Sequence, residues 1–366
     1  MTMFTPLFPI LERNALNAVA LVPGANFLRI FGRDFHQMER PLVVIVPAKG
    51  KPVAIVPKLE MASFEPLGFP GAVFPWRDED GYMGAFEKAA AALPLNDGAR
   101  VGVEGQRMRV FDYQALQKVF PNAQFIDTHQ AISTVRLCKT PDEIARLRIA
   151  IERSEAALEK TLSQVRIGMT EKQVEAILLS ELFAAGCDGL SFEPIVAAGD
   201  NSAQPHAVAR ADYKIKAGDA LLFDFGGRYQ HFSADITRTF FVGHVSDEDR
   251  AFYNTVLAAN ERGRAVSRAG IAAEDVDDAT LKVLETSQFA PFIRHKTGHG
   301  LGLDVHEAPQ IMRGNTQQLE PGMVYTIEPG LYDEGKVGVR IEDNVVVTEI
   351  GHDCLTSFPR ELRIIG

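Results

Sequence analysis

The chain has 366 residues, with 38 Lys and Arg against 48 Asp and Glu, so its formal net charge is −10. Hydrophobic residues make up 46% and charged residues 23%, which is enough apolar material for a core and excludes disordered, collagen-like and low-complexity classes. The acidic balance argues against nucleic acid or an anionic membrane as the main partner, and at roughly 150 residues per domain the length predicts two domains.

Residues 1–13 show no basic segment followed by an apolar core, so no signal peptide is expected. The longest apolar run, residues 41–48, is far short of the roughly 20 residues a membrane span needs. Three scattered cysteines, Cys138, Cys187 and Cys354, fit neither a disulfide framework nor a thiolate zinc site, and they predict a reducing, cytoplasmic location. Residues 1–130 read as alternating short strands and helices. The β-branched runs at 42–47 and 52–57, around Ala48-Lys49-Gly50-Lys51, predict a hairpin. Residues 101–104 predict another strand, and 84–92 and 113–119 short helices. No cluster of His, Cys and acids occurs here, so this part reads as structural or substrate-gating.

A boundary is expected near 128–140, giving domains at 1–132 and 133–366. Thr140-Pro141-Asp142-Glu143 has the form of a capping box, and Ile144, Leu147, Ile151, Leu158 and Leu162 follow at helical spacing. Thr170-Glu171-Lys172-Gln173 opens a second helix that ends before Gly186. A third opens at Ser246 and ends near Gly270, and a fourth covers 273–287. Strands are predicted at 192–198, 220–225, 232–242, 323–328 and 337–347. Two helices then strands, twice over, suggest two similar halves around one sheet.

Two hairpins carry acids in apolar settings. Asp224 follows Leu221-Leu222-Phe223, Asp235 lies in the returning strand, and Gly226-Gly227 is expected to supply the bend. Glu328 and Glu342 occupy matching places in a second hairpin that turns through Asp333-Glu334-Gly335. An ionised carboxylate among Leu, Phe and Ile is costly to bury unless something positive meets it. Between the hairpins lies Gly298-His299-Gly300-Leu301-Gly302, whose glycines let the backbone approach whatever His299 touches, and His306 follows. One imidazole and four carboxylates form a hard, oxygen-rich set that suits a pair of Mn, Co or Zn ions sharing carboxylates. There is no P-loop, no Gly-x-Ser-x-Gly elbow and no His-Glu-x-x-His.

These segments resemble the superfamily of methionine aminopeptidase, aminopeptidase P and prolidase, the M24 metallopeptidases, which carry Asp, Asp, His, Glu, Glu in that order. The matching stretches are Asp224-Phe225-Gly226, Ser233-Ala234-Asp235-Ile236-Thr237-Arg238-Thr239, the His299 loop with Val305-His306-Glu307, Thr326-Ile327-Glu328-Pro329-Gly330 and Val339-Arg340-Ile341-Glu342-Asp343-Asn344. Residues 136–143 also resemble the segment that opens this domain. The resemblance implies an α+β pita-bread catalytic domain of the creatinase/aminopeptidase type, preceded by a smaller α/β creatinase-type domain. The separate N-terminal domain resembles the Xaa-Pro-cleaving branch, as do His206 and His295; Lys296, where Arg is common, is expected to matter little.

Carried over, the resemblance implies two divalent cations per subunit, Mn2+ first, with Co2+ or Zn2+ as alternatives. Asp224 is expected to chelate one, His299 and Glu328 the other, and Asp235 and Glu342 to bridge. A metal-bridging hydroxide is expected to attack an Xaa-Pro bond, with Glu328 in proton transfer and His306 stabilising the oxyanion. The proline nitrogen needs a proton to leave, a task that suits a histidine near neutral pKa. His206, His295 and His306 are expected to line the substrate pocket, and Arg340 to anchor Asp235 or a substrate carboxylate. The implied partners are short proline-containing peptides, with no nucleic acid or membrane, and the implied state is a homodimer. The reading is a prolidase-like Xaa-Pro dipeptidase. The alternatives are an Xaa-Pro aminopeptidase acting on longer peptides, or a related amide hydrolase with a non-proline substrate. A metal-free hydrolase or an interaction protein on the same fold would lack these ligands, and all five are present.

Overall fold

The computed structural model describes residues 3–366; Met1 and Thr2, part of the stretch read for a signal, lie outside the described residues. The chain divides into two compact units, Met1–Arg136 and Leu137–Gly366.

The first unit carries β1 (Ala18–Leu21), β2 (Val43–Pro47), β3 (Val53–Pro57), β4 (Ala72–Trp76), β5 (Arg100–Val103) and β6 (Gln124–Asp127) in one sheet ordered β4-β3-β2-β1-β5-β6. The expected hairpin forms, with Val43 opposite Ile55. The central strands are apolar on both faces because both are covered. Val19, Leu21, Val44 and Val56 pack with Phe27 and Phe31, while Ala20, Val43, Ile45 and Ile55 pack with Phe86 and Leu116. The helices expected in this half span Met83–Ala91 and Val110–Val119.

In the second unit both expected capping boxes are present. Thr140 accepts from the Glu143 amide while Glu143 accepts from Thr140, and Thr170 and Gln173 exchange the same pair. They open helices Pro141–Gln164 and Glu171–Ala184. Ser246 caps helix Asp247–Val266, and Ala273–Glu285 follows. The strands are β7 (Gly189–Leu190), β8 (Ile195–Ala198), β9 (Ala220–Phe225), β10 (Gly227–Tyr229), β11 (Phe232–Ser233), β12 (Ile236–Val242), β13 (Gly298–Gly300), β14 (Glu307–Ile311), β15 (Val324–Ile327), β16 (Gly330–Asp333), β17 (Val337–Arg340), β18 (Asp343–Val347), β19 (His352–Cys354) and β20 (Ile364–Ile365).

The two halves do not share one sheet, as the sequence suggested. They form two main sheets, β20-β12-β9-β8 and β14-β13-β15-β18-β19, with β11-β10-β7 and β16-β17 set off from them. Each half repeats one device. Long partners pair in a main sheet (β9 with β12, β15 with β18), and the chain between them leaves to form a short hairpin (β10–β11, β16–β17). The ladders stop where the halves meet because side chains take over the backbone groups there. Arg238 donates to the carbonyls of Thr237 and Glu342 at 2.9 and 2.6 Å, and Asn344 donates to the carbonyl of Asp235. The four acids lie at these corners.

Two local expectations change. The first hairpin does not turn at Gly226-Gly227. Tyr229 faces Phe232, so the turn is Gln230-His231, with φ of 47° and 73° at the two residues. Gly226 serves a close approach instead, since a Cβ there would lie 1.8 Å from the Ala234 carbonyl oxygen. Likewise Gly298 approaches a neighbouring strand, and a Cβ there would lie 2.0 Å from the Thr326 carbonyl oxygen. Those contacts hold the acid and imidazole strands side by side.

Candidate metal centre

Alternation places the polar groups. Asp235 and Thr237 are two residues apart, as are Thr326 and Glu328, so each pair shares a face. The Thr237 hydroxyl donates to Glu342 Oε2 at 2.7 Å, and the Thr326 hydroxyl donates to Glu328 Oε1 at 3.1 Å. These threonines orient the acids and were not anticipated as site residues; a polar residue at two-residue spacing from an acid, in an otherwise apolar strand, was the signal for them.

The five residues expected as ligands converge. Asp224, Asp235 and Glu342 form one group whose ligand atoms all lie within 4.8 Å of one another; His299, Glu328 and Glu342 form a second, and Asp235, His299 and His306 a third. Glu342, Asp235 and His299 each belong to two groups. His299 Nε2 lies 3.2 Å from Glu328 Oε1 and 3.7 Å from Asp235 Oδ2. Its Nδ1 faces the Gly300 carbonyl at 3.1 Å, and a carbonyl only accepts, so Nδ1 carries the hydrogen. The Nε2 lone pair therefore points at two carboxylates, an arrangement that needs a proton or a cation between them.

The carboxylates make the same point. Asp224 Oδ1 and Glu342 Oε1 are buried with no hydrogen-bond partner. Burial, then Glu342 and Asp224, hold the Asp235 carboxyl well above the usual range. Burial, then Glu328 and Asp224, do the same to Glu342. Burial raises Asp224 as well, with Arg340 opposing. Glu328 differs: burial pushes it up, but the hydrogen bond and charge of His299 outweigh that and bring it down to about 2. Orphaned oxygens, crowded acids and an imidazole nitrogen turned toward two of them are the donor set of a pair of hard divalent cations.

The site opens into a cavity of about 760 Å³ lined by all five residues and by His206, His295, His306 and Arg340. His206 is exposed on its wall. The His306 ring stands edge-on to that of His299, with centroids 4.1 Å apart. Partial burial of the His306 ring, then His299, push it down to about 4, so it is neutral at physiological pH and keeps one N–H to donate. His295 is held at both nitrogens, by the Lys296 carbonyl at 2.8 Å and the Tyr332 hydroxyl at 2.8 Å. The carbonyl fixes the hydrogen on Nδ1, so Tyr332 donates to Nε2 and in turn accepts from Arg340 Nη1 at 2.7 Å. Arg340 sits on Asp224 at 2.5 Å, and Asp235 is not its hydrogen-bonding partner; its Nε donates to the Thr237 hydroxyl at 3.0 Å. Tyr332 was not anticipated either, because its role depends on the register of β16 against β17.

Comparison with known proteins agrees with this geometry. Residues 145–349 match the metallopeptidase family M24, and residues 9–138 match the creatinase/prolidase N-terminal domain. An uncharacterised peptidase of Staphylococcus saprophyticus is 32% identical over 350 residues, 96% of this chain and 97% of that protein. The crystal structure of a prolidase from Thermococcus sibiricus is 32% identical, covers 100% of both chains and superposes with a TM-score of 0.92. An X-Pro aminopeptidase from Thermotoga maritima is 30% identical, covers 97% of this chain and 99% of its own, and superposes at 0.81.

Proposed function

From the premise that the chain belongs to metallopeptidase family M24, as its residues 145–349 establish, we propose that it hydrolyses the Xaa-Pro bond of dipeptides or short peptides with two divalent cations. The observation that carries this is the convergence of Asp224, Asp235, His299, Glu328 and Glu342 with orphaned carboxylate oxygens among them. Asp224 would hold one cation, His299 and Glu328 the other, and Asp235 and Glu342 both, Glu342 being the acid that lies with Asp224 in one group and with His299 and Glu328 in another. When bound, the cations supply Lewis acidity toward the scissile carbonyl and ease deprotonation of water.

The chain's own groups do the rest. Glu328, whose carboxylate lies 3.2 Å from His299 at the edge of the ligand groups, accepts the proton of the attacking water. His306 donates a hydrogen bond to the carbonyl oxygen as it gains charge. Its depressed pKa suits a neutral donor and not the acid that protonates the proline nitrogen, so Glu328 returns the proton it took. Arg340 holds Asp224 in place, and Tyr332 and His295 hold Arg340. The better superposition on the prolidase, 0.92 against 0.81 for the X-Pro aminopeptidase, supports the dipeptidase reading over the aminopeptidase one.

The test is metal analysis of the purified chain, followed by hydrolysis of Xaa-Pro dipeptides, Xaa-Pro-Yaa tripeptides and matched non-proline peptides with Mn2+, Co2+ and Zn2+. Preferential cleavage of the dipeptides is expected. Glu328→Ala is expected to abolish turnover, and a near-normal rate in that variant would overturn its role.

A further inference from the structure

Glu328 and Glu342 lie in a gap between two ladders. β15 and β18 pair as far as Ile327 with Asp343, and β16 and β17 pair from Gly330 with Arg340, so Glu328-Pro329 and Ile341-Glu342 belong to no strand. The amides of both acids turn to other parts of the fold. Glu328 N–H donates to the Thr297 carbonyl at 2.8 Å and Glu342 N–H to the Thr237 carbonyl at 3.1 Å. Across the gap itself the Ile341 amide reaches the Pro329 carbonyl at a long 3.4 Å. A side chain spans the gap instead. Asn260, on helix Asp247–Val266 and 0% exposed, donates from Nδ2 to the Ile327 carbonyl at 3.0 Å and to the Ile341 carbonyl at 3.3 Å. These are the residues just before the two glutamates.

The amide has one orientation. Both carbonyls only accept, so the nitrogen must face them, and Oδ1 accepts from Arg264 Nε at 2.9 Å, one turn along the helix. The helix is also built to come this close. Gly263, three residues on and on the same face, would place a Cβ 2.9 Å from Ile327 Cγ2. The threonines Thr326 and Thr237 orient the ends of Glu328 and Glu342, whereas Asn260 ties the backbones from which those side chains spring. Asp224 and Asp235 lie in the other half of the unit, in β9 and just before β12.

We propose that Asn260 is a positioning residue of the metal centre: by bonding the carbonyls of Ile327 and Ile341 it sets the separation of Glu328 and Glu342, and so the affinity of the His299, Glu328 and Glu342 group for its cation. The proposal rests on the two-cation reading above and deepens it. An apolar side chain at 260 would leave the Ile341 carbonyl and Arg264 Nε unmet and would remove the bond across the gap. The other group would suffer less, because Glu342 keeps its hydrogen bond from Thr237, on the strand that follows Asp235.

The experiment titrates the metal-free chain with Co2+ by calorimetry and by proton NMR. The hydrogen on His299 Nδ1, sheltered by the Gly300 carbonyl, gives a paramagnetically shifted signal when Co2+ sits beside that ring, and so reports the cation held with Glu328. In Asn260→Leu this signal is expected to saturate at about 10- to 100-fold higher free Co2+ than in wild type, the usual loss when a group supporting a metal ligand is removed, while the other cation changes less. Asn260→Asp keeps the shape and the partner for Arg264 but turns an acceptor toward both carbonyls, and it should lose as much; it gives the reading if Asn260→Leu does not fold. Asn26→Leu removes a buried amide of the first unit, one that donates to Glu104 and Ser133, and should leave both cations unchanged. An unchanged His299 titration in the Asn260 variants, an equal loss at both cations, or the same loss in Asn26→Leu overturns the proposal. Failure of the two-cation reading looks different: wild type would then take up fewer than two Co2+ per chain, while the His299 signal in the Asn260 variants would still decide the proposal.

Discussion

Replacing Glu342 with Gln isolates the electrostatic cost of the site. Glu342 is 1% exposed, its Oε2 accepts from Thr237 at 2.7 Å and its Oε1 has no partner. A Gln amide oxygen keeps the Thr237 bond and the shape. Without cations, the folded-state pKa of Glu342 lies well above its unfolded value because of burial and then Glu328 and Asp224. The fold thus binds more protons than the unfolded chain, and stability falls as pH rises from the ordinary carboxylate range toward the folded pKa. Each excess proton contributes about 1.4 kcal/mol per pH unit. Glu342→Gln removes one such group and relieves Asp235, whose largest charge repulsion comes from Glu342. In denaturant melts with a chelator present, the variant should match wild type near pH 5 and then gain on it by about 1.4 kcal/mol per pH unit. At pH 7, with cations at about 1,000 times their Kd, the order should reverse, because wild type gains about 4.1 kcal/mol and the variant little. Equal pH slopes for the two proteins in chelator would refute the repulsion argument.

Two further outcomes follow from the same geometry. Cation uptake by the folded chain near pH 5, just above the ordinary carboxylate range, should release protons, since burial and crowding raise Asp235 and Glu342 in its absence; calorimetry in buffers of different ionisation heat reads the number, and a value of zero would contradict the raised pKa values. Lys139→Met should destabilise the chain by about 3–5 kcal/mol, because Lys139 and Glu307 form an ion pair at 2.5 Å with both side chains 2% exposed, and Glu307 anchors the segment that carries His306. Urea melts read this, and a loss under about 1 kcal/mol would show that the pair is not holding that segment.

What was legible in the sequence was local or periodic. The Thr140 and Thr170 boxes lie within four residues each, and both form. The acids were found because each interrupts an apolar strand. Features set by chain partners far apart were not legible. Gly226 looked like a turn residue, but its lack of a side chain matters for Ala234, which only the folded hairpin brings near. Arg340 was expected on Asp235 or a substrate carboxylate, and strand register set it on Asp224. In the first unit, β1 escaped notice because a central strand covered on both faces shows no alternation.

Glu342 and Asp343 are neighbours in sequence, both buried, yet the fold treats them oppositely. Burial pushes Asp343 up, but Arg238 and Arg360, at 2.8 and 2.5 Å, bring it below its ordinary value, and Arg264 lies 3.4 Å away. Glu342, one residue earlier, faces Glu328 and Asp224 and is pushed the other way. The chain can therefore deliver guanidinium groups to this seam and does so on one side of it. On the other side it supplies a single arginine, Arg340, to Asp224 and leaves oxygens of Asp224 and Glu342 unmet. An acid cluster kept merely for structure would be expected to receive the same neutralisation as Asp343. Withholding it destabilises the empty chain and creates affinity for charge from outside, which is the physical condition for a cation-dependent hydrolase.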